Sequence, residues 1–380
     1  MNVISIIKKN RFIHLCFAIS FFISGVLINC VQCTLYFTLR KYDPERYRRI
    51  NYYLCYSMYS YLVFMGDWWS NSKIYLYIDK KEFDEFLGKE HALCVMNHTY
   101  EIDWLIGWMF CERINCLGNC KAYAKNGIQY VPTLGMAWKF SEFVFLKRDF
   151  NEDKKILPIQ IKALVDHPDP IWLLLFPEGT RFTPEKSIVS QKFAIENNLI
   201  PLKHHLTPRT RGFVTSLSLM YGKVPAVYNI VLAFKHDEST GKPTITNMLN
   251  GNPAEAHMYI KRIPLENVPE DPAKSAQFLH DMFAKKDTML GSFFRTGDFF
   301  KESGIERTNC FTLPRRIYPL VNVVSWSLVV LSPIGYSMYS LYANGRYFWL
   351  LGLMSMFSSF YYFLNKTIAM SEISNSSSYG

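Results

Sequence analysis

The sequence predicts an α/β domain, in which a mixed β-sheet is flanked by helices, held at a membrane by transmembrane helices near both ends of the chain. Between residues 70 and 304, short apolar runs alternate with longer amphipathic stretches, as in layered α/β folds. Outside that region lie apolar runs long enough to cross a bilayer, which takes roughly 20 residues. We therefore expect an N-terminal membrane segment with a second helix (1–69), the α/β domain (70–304), a C-terminal transmembrane hairpin (305–366) and a disordered tail (367–380).

The N-terminal segment contains two apolar runs. The first, residues 12–39, has His14 as its only ionisable side chain apart from cysteines and Tyr36. A signal peptide has a shorter apolar core, of about 7–15 residues, that ends in small residues, so we predict a retained anchor. The second run, residues 52–65, is rich in tyrosine and ends in Asp-Trp-Trp. It fits a segment that lies in the membrane interface or forms a hairpin with the anchor, or else an aromatic-rich helix of the core.

The C-terminal region contains two further apolar runs, residues 317–342 and 347–364, which a short loop separates. Arg315 and Arg316 precede the pair and Lys366 follows it. Basic residues at both outer ends predict a hairpin whose two ends are cytosolic, and the basic residues around the first anchor favour a cytosolic central domain. We therefore expect a multi-pass membrane protein.

The net charge of +10, from 42 basic and 32 acidic residues, limits the classes of partner. The chain has neither zinc-finger spacing nor an arginine-rich arm, so we expect no nucleic acid; anionic lipid surfaces and phosphorylated ligands are the better match. Cys111, Cys116 and Cys120 lack the paired two-residue gaps of a zinc site. We interpret them as reduced structural thiols and predict no bound metal. The sequence does not identify a protein partner.

The central domain is predicted to contain five strands and five helices. The strands are residues 92–96, 142–146, 171–176, 224–234 and 257–263, and the helices are residues 101–112, 153–166, 186–198, 213–221 and 274–285. In such sheets, ligands collect beyond the carboxyl ends of the strands. His98, Arg148 and Glu178 each follow a predicted strand, which indicates a site at this edge.

The sequence Asn-His-Thr-Tyr-Glu-Ile-Asp at residues 97–103 suggests a general base with a partner. A neutral histidine accepts a proton near pH 7, and a carboxylate fixes its tautomer, so His98 and Asp103 form a candidate pair. Five residues along one helix turn about 140° off a common face, so the two side chains meet only if a turn precedes the helix. We predict Thr99 as the N-cap of that helix. Two other interpretations stay open: a histidine and an aspartate with separate structural roles, and a metal site that also uses Glu101.

The sequence Phe-Pro-Glu-Gly-Thr-Arg at residues 176–181 suggests an anion site. Gly179 allows close backbone approach, Thr180 offers a hydroxyl, and Arg181 can bind phosphate with two hydrogen bonds. The basic pair at positions 147 and 148 offers further positive charge. Alone, this sequence would fit a turn with a surface salt bridge. Together with the histidine motif, it predicts transfer chemistry on a phosphorylated substrate.

These motifs resemble those of a known family. Asn-His-x4-Asp, then Phe-x-x-Arg at residues 145–148, then Phe-Pro-Glu-Gly-Thr-Arg, in this order and spacing, resemble the glycerolipid acyltransferases. Among them, the chain is most similar to the 1-acylglycerol-3-phosphate (lysophosphatidic acid) acyltransferases of the animal gamma/delta type. The supporting stretches, which extend the likeness over most of the chain, are residues 206–213, 226–229, 263–270 and 294–297.

The resemblance implies roles for the site residues. It makes His98 the catalytic base and Asp103 its partner. The predicted acceptor-binding residues are Arg148, Glu178, Gly179, Thr180 and Arg181, to which we add the neighbouring Lys147. The family's fourth motif, a Val-Pro-x-x-Pro-like run, is altered here, because Pro225 is present but Tyr228 stands at the second proline position.

The resemblance also implies an activity. We expect transfer of an acyl group from acyl-CoA, a cosubstrate, to the sn-2 hydroxyl of lysophosphatidic acid at the endoplasmic reticulum membrane, without a cofactor. A covalent acyl-enzyme is not expected, since the chain has no Gly-x-Ser-x-Gly elbow. Two alternatives remain: another lysophospholipid acceptor, such as lysophosphatidylinositol, and a non-catalytic membrane protein that binds anionic lipid.

Overall fold

A single mixed sheet organises the domain in the computed structural model, which describes residues 3–147, 149–236 and 241–373. Its strands are β1 (Lys73–Tyr77), β2 (Ala92–Met96), β3 (Cys120–Lys125), β4 (Val144–Leu146), β5 (Trp172–Leu175), β6 (Ala226–Lys235), β7 (Glu255–Pro264) and β8 (Cys310–Thr312). They lie in the order β4-β3-β5-β2-β6-β7-β1-β8. The first five in this order are parallel, β7 is antiparallel to β6, and β8 is antiparallel to β1. The predicted mixed α/β sheet is confirmed.

Fourteen α-helices surround or extend from the described part of the sheet. They are α1 (Val3–Lys8), α2 (Arg11–Phe37), α3 (Leu39–Tyr42), α4 (Pro44–Phe64), α5 (Lys80–Phe86), α6 (Asp103–Arg113), α7 (Leu134–Phe140), α8 (Phe150–Val165), α9 (Pro184–Glu196), α10 (Thr210–Met220), α11 (Ile245–Leu249), α12 (Pro272–Thr296), α13 (Tyr318–Ala343) and α14 (Tyr347–Ile373). Shorter helical turns are Met65–Trp69, Leu117–Asn119, Asn126–Tyr130 and Leu265–Asn267. The last helix ends at Ile373, and the remainder of the predicted disordered tail lies outside the described residues.

The central strands are buried on both faces, which explains their continuous apolar runs. Along β2, Leu93 and Val95 join a cluster with side chains of α8, α10 and α12. Cys94 and Met96 point to the opposite face and join a cluster with side chains of α4 and α6. The domain is therefore a three-layer sandwich with β2 at its centre, and the residues that follow β2 start from a rigid strand.

The second apolar run of the sequence forms α4, which packs against α2. Tyr59 and Tyr61 of this helix are fully buried. Gln32 of α2 donates a hydrogen bond to Asn51 of α4 at 2.7 Å, and Tyr61 donates one to Ser20 of α2. Because these contacts join late α2 to early α4 and early α2 to late α4, the two helices are antiparallel. Helix α4 therefore forms a hairpin with α2, and it also brings buried tyrosine side chains into the core.

Three stretches in the described part of the chain have the length and composition of membrane spans: Arg11–Tyr42, Tyr318–Ala343 and Tyr347–Lys366. They differ in their contact with the protein, because 44%, 11% and 0% of their most apolar windows are buried within it. The last two match the predicted C-terminal hairpin. The first packs much more extensively on the domain.

Helix α2 contacts the domain near both of its ends and at its middle. Lys8, just before it, lies against the loop after α11. A side chain at Gly25 would overlap Thr133, since its Cβ would lie 2.9 Å from the threonine side chain. Arg40, just beyond the helix, forms an ion pair with Glu142 at 3.1 Å. The N-terminal helix is thus part of the domain surface along its whole length.

A buried ion pair ties the end of α4 to α6, so we predict a large loss of stability from Asp67→Asn. Arg113 of α6 donates to the Oδ1 atom of Asp67 at 2.5 Å, and the aspartate side chain is fully buried. Removing one partner of a buried pair leaves the other charge uncompensated and costs about 3–5 kcal/mol. Chemical unfolding in detergent micelles measures this loss. Glu302→Gln, which breaks an exposed pair with Arg295, is the control, and equal effects of the two substitutions would contradict the prediction.

Candidate active site

The loop after β2 is anchored by Asn97, which is buried. Its Oδ1 atom accepts a hydrogen bond from the backbone N–H of Leu232 at 2.8 Å, and its Nδ2 atom donates to the carbonyl of the same residue at 2.9 Å. These two bonds fasten the chain to the neighbouring strand β6 where β2 ends. The direction in which His98 leaves the sheet is therefore fixed by the backbone of two strands.

His98 and Asp103 form the predicted pair. The Nδ1 atom of His98 lies 2.9 Å from the Oδ2 atom of Asp103, whose side chain is 1% exposed. Because a carboxylate can only accept, Nδ1 carries the proton and Nε2 carries the lone pair. The histidine ring also stacks on Phe176, with 4.3 Å between ring centres. The ring is thus oriented on two sides and is poised to accept a proton at Nε2.

The pair meets because a turn precedes α6, as the sequence argument required. However, the prediction that Thr99 caps the helix is wrong: the helix begins at Asp103, and Ile102 precedes it without a side-chain cap. The Oδ2 atom of Asp103 instead accepts from the backbone N–H groups of Thr99 and Tyr100, at 2.6 and 3.0 Å. The aspartate therefore folds the turn and orients the histidine with the same oxygen.

Glu178 is buried beneath the site, and both of its carboxylate oxygens accept backbone hydrogen bonds. Its Oε1 atom accepts from the backbone N–H of His98 and its Oε2 atom from that of Leu206, both at 2.8 Å. Burial raises the pKa of this carboxyl, and the two N–H donors oppose the rise. Glu178, which the sequence placed among the acceptor-binding residues, therefore connects the histidine loop to the segment before α10.

The loop of residues 179–181 gathers positive charge beside the pair. Gly179 has φ of +72°, and a Cβ there would lie 3.2 Å from Nε of Arg209. Lys186 donates from Nζ to the hydroxyl of Thr180 at 2.8 Å. Burial lowers the pKa of Lys186, and the nearby Arg181 lowers it further. The glycine thus makes room for Arg209 and the threonine positions Lys186, and a bound anion would relieve the repulsion between Lys186 and Arg181.

Arg181 lies close to the histidine motif. Phe182, next to it, donates its backbone N–H to the carbonyl of His98 at 2.8 Å. Arg181 itself is 3.7 Å from the Oε2 atom of Glu101, and its side chain is 17% exposed. The other oxygen of Glu101 accepts from the backbone N–H of Ile245. Glu101 thus faces the arginine, whereas the metal interpretation required it to join His98 and Asp103. No group of three or more His, Cys, Asp or Glu side chains within the described ranges is arranged to hold a metal ion.

The second cationic position lies farther away. Lys147 follows β4, and three strand spacings separate β4 from β2, which is about 14 Å. Its side chain is exposed and paired with Glu152 in the first turn of α8. Arg148 lies outside the described residues, so its predicted role stays a prediction. The parallel strands nevertheless place Lys147 at the same edge of the sheet as His98.

The altered fourth motif contributes to the core. Tyr228 of β6 is fully buried, and its ring packs against Trp172. Its hydroxyl donates to Glu90 at 2.6 Å, and Glu90 also pairs with Arg262 at 2.7 Å. The preceding Pro225 offers its carbonyl to Leu265. The tyrosine that replaces the second proline is therefore held by the domain interior, in a network with Glu90 and Arg262.

Sequence reasoning did not single out several residues that build this site. Asn97 and Phe176 belong to the two motifs but were given no role of their own. Arg209 belongs to residues 206–213, which served only to support the family resemblance. Lys286 gave a clearer signal, because it interrupts the apolar stripe of α12. A charged residue at such a position is buried when the helix packs, and so needs an internal partner.

Two family models match the chain: "Acyltransferase" over residues 77–227 and "Acyltransferase C-terminus" over residues 247–326. The protein is therefore a membrane-associated acyltransferase, and the histidine–aspartate pair lies within the first match. Human 1-acyl-sn-glycerol-3-phosphate acyltransferase gamma is 37% identical over all of this chain and 98% of its own length. Mouse 1-acyl-sn-glycerol-3-phosphate acyltransferase delta is 35% identical over all of this chain and 97% of its own length. The chain belongs to the 1-acyl-sn-glycerol-3-phosphate acyltransferase family, gamma/delta type.

Among solved structures, the chain resembles the crystal structure of the 1-acyl-sn-glycerophosphate (LPA) acyltransferase PlsC from Thermotoga maritima. The two are 14% identical, with a TM-score of 0.42. The match covers 74% of this chain and 98% of the other.

Proposed function

We propose that this enzyme transfers the acyl group of acyl-CoA to the sn-2 hydroxyl of lysophosphatidic acid, giving phosphatidic acid and free CoA. The observation that carries the proposal is the His98–Asp103 pair beside the cations of the 179–181 loop. The pair supplies a base for a hydroxyl, and the loop supplies a place for a phosphate. The gamma and delta relatives carry this acceptor in their names.

The reaction begins with proton transfer to Nε2 of His98. As the acceptor oxygen attacks the thioester carbonyl, its proton moves to the ring and a tetrahedral intermediate forms. Asp103, 2.9 Å from Nδ1, stabilises the imidazolium. When the intermediate collapses, the C–S bond breaks, and the imidazolium returns its proton to the leaving CoA sulfur. The oxygen–carbon bond that forms replaces the carbon–sulfur bond, and the base is regenerated.

The cationic loop positions the acceptor for this step. Arg181 and Lys186 offer N–H donors to a phosphate, with Arg209 packed beside Gly179. The phosphomonoester of lysophosphatidic acid is small and doubly charged, so it matches a compact group of cations. Holding the phosphate there brings the sn-2 hydroxyl to the base, and such positioning contributes about 7–11 kcal/mol to barrier reduction. The backbone of Gly179 also lies close to the proposed phosphate position.

The membrane supplies the substrates to the site. The helices α13 and α14 and the outer face of α2 are apolar, as residence in a bilayer requires. The exposed side chains of α14 include Phe348, Trp349 and Leu351. We propose that the catalytic domain lies on the cytosolic side, which the basic residues flanking the helices support. We also propose that the membrane is that of the endoplasmic reticulum, which rests on the family resemblance alone.

The proposed phosphate site predicts the effect of Arg181→Ala. We expect the KM for lysophosphatidic acid to rise about 10- to 100-fold, with a smaller change in kcat, because a charge-assisted hydrogen bond contributes about 1.5–3 kcal/mol. Lys192→Ala is the matched control, since Lys192 is an exposed cation on α9 paired only loosely with Glu196. Initial rates over a range of acceptor concentrations separate KM from kcat. An unchanged acceptor KM would remove Arg181 from the phosphate site.

The activity itself is tested by release of CoA from oleoyl-CoA with a panel of lysophospholipids. Turnover with lysophosphatidic acid supports the proposal. Turnover only with lysophosphatidylinositol, or with another headgroup, would keep the base but contradict the acceptor. An absence of CoA release with every acceptor would contradict the proposed function and favour a protein that only binds anionic lipid.

A further inference from the structure

Lys286 is a lysine buried under the active site, in the part of the chain matched by the C-terminal family model. It lies on α12, in the stripe formed by Met282, Phe283 and Met289, and none of its surface is exposed. Burying an ammonium group without partners costs several kcal/mol. A lysine at this position therefore needs a specific set of contacts, and the structure provides them.

The ammonium group contacts the backbones of β2, which leads into the active-site loop, and of its neighbour β6. Its Nζ atom donates to the carbonyl of Val95 in β2 at 2.8 Å and to that of Ile230 in β6 at 2.7 Å. Val95 is three residues before His98. Ile230 is two residues before Leu232, whose backbone holds Asn97. The lysine thus joins the same two strands that direct the histidine out of the sheet.

Lys286 also interacts with Glu178. Burial lowers the pKa of the lysine, and the negative charge of Glu178 opposes this shift. In turn, Lys286 acts with the two backbone N–H donors to oppose the rise that burial causes in the pKa of Glu178. The two groups therefore favour each other's charged forms, and a charged Glu178 accepts the hydrogen bond from the backbone N–H of His98 more strongly.

The next residue of α12 supports the other side of this arrangement. Asp287 accepts from the backbone N–H groups of Lys203 and His204, at 2.9 and 2.7 Å, and from the ring of His205 at 3.1 Å. The adjoining Leu206 is the second donor to Glu178. One turn of α12 thus contacts β2 and β6 through Lys286 and the segment that donates to Glu178 through Asp287.

We propose that Lys286 is a positioning residue for catalysis, which holds His98 in its reactive place through the backbones of β2 and β6 and through Glu178. The lysine acts on the backbone of the histidine loop and does not touch substrate. This inference rests on the proposed function, because it concerns the same base and the same transfer step.

The test compares Lys286→Met with Lys285→Met. Methionine keeps the length of the side chain but removes its charge and donors, and Lys285 is the exposed neighbour on the same helix. We expect Lys286→Met to lower kcat about 10- to 100-fold while both KM values stay within about twofold of wild type, because a small misplacement of the base affects the chemical step. We expect Lys285→Met to match wild type.

Hydrogen–deuterium exchange, measured by mass spectrometry, distinguishes positioning from general destabilisation. In Lys286→Met, faster exchange is expected in peptides that contain residues 96–99 and 206, whose N–H groups depend on this network, and unchanged exchange in β7. If exchange rises equally throughout the sheet, or if Lys286→Met and Lys285→Met have equal kcat, the inference is overturned. If wild type shows no turnover, the proposed function fails, and the exchange pattern alone still decides whether Lys286 holds the loop.

A second variant covers the case in which Lys286→Met does not fold. Adding Glu178→Gln removes the buried negative charge together with its counter-charge. We expect the double variant to recover a cooperative melting transition, or, where Lys286→Met still melts, to melt at a higher temperature than Lys286→Met alone. An equal or lower melting temperature would contradict the claim that the lysine offsets Glu178.

Discussion

Replacing His98 with alanine is expected to lower kcat for acyl transfer by about 10²–10⁴, the range that general-base catalysis supplies. The cations at Arg181, Lys186 and Arg209 stay in place, so the acceptor KM should change little. Steady-state release of CoA from oleoyl-CoA, with lysophosphatidic acid as acceptor, measures both parameters. The expected combination is a large loss in kcat with acceptor binding retained.

His280→Ala is the control for this substitution, because His280 lies on α12, and none of the contacts that build the active site involves it. We expect its kcat to remain at the wild-type value. Turnover by His98→Ala within a few fold of wild type would show that another group accepts the hydroxyl proton. An equal fall in both variants would point to a loss of folding instead, which the melting temperature would reveal.

Asp103→Asn is expected to lower kcat by about 10²–10⁴ with little change in shape, since asparagine has the same size as aspartate. The amide can still accept from the backbone of the turn, but it carries no charge to stabilise the imidazolium. Its NH₂ group can also donate to Nδ1, which would leave the wrong ring nitrogen protonated. Measuring kcat beside the control Asp281→Asn, an exposed aspartate on α12, isolates this effect.

The double variant tests whether the two residues act as one unit. If Asp103 acts through the histidine, Asp103→Asn adds little further loss once His98 is alanine. If the two losses multiply instead, the aspartate has an independent role in the turn or in the fold. The 2.9 Å bond between the two side chains predicts the first result.

The sequence predicted the chemistry of the site better than its supports. The spacing of His98 and Asp103 required a turn before the helix, and that turn is present. The origin of the turn was not predicted, because one carboxylate oxygen serves both the ring and the backbone N–H groups of Thr99 and Tyr100. A rule for helix caps assigns a hydroxyl to this task and does not consider a catalytic aspartate three or four residues later.

The strands were predicted where both faces are apolar and missed where they are not. Ala92–Met96 agrees residue for residue with β2, which is wholly buried. Strand β3 was missed because Lys121 and Lys125 interrupt its pattern, although Lys121 is buried. Strand β8 has three residues, none of them buried, whereas the equally short β4 was predicted because Val144 and Phe145 are apolar and buried. Strand β1, which opens on the exposed Lys73, was missed as well. Local periodicity is informative only when a strand's environment is uniform.

The supporting residues come from distant parts of the chain, and that is why sequence reasoning did not place them. Glu178 accepts hydrogen bonds from the backbone of His98, 80 residues before it, and from the backbone of Leu206, 28 residues after it. Lys286 reaches Val95 across 191 residues. A motif describes neighbours in sequence, whereas the position of the base depends on how α12 packs beneath the sheet.

The packing of α2 along the domain has a consequence for how this enzyme can be handled. One side of the helix meets Thr133 and its neighbours, and the opposite side is apolar and exposed. An unrelated hydrophobic helix could replace the apolar exposed side of α2 but not the side that packs against Thr133. Shortening the N-terminus to obtain a water-soluble enzyme would therefore remove a wall of the catalytic domain, so detergent or lipid, rather than truncation, is the route to an intact preparation.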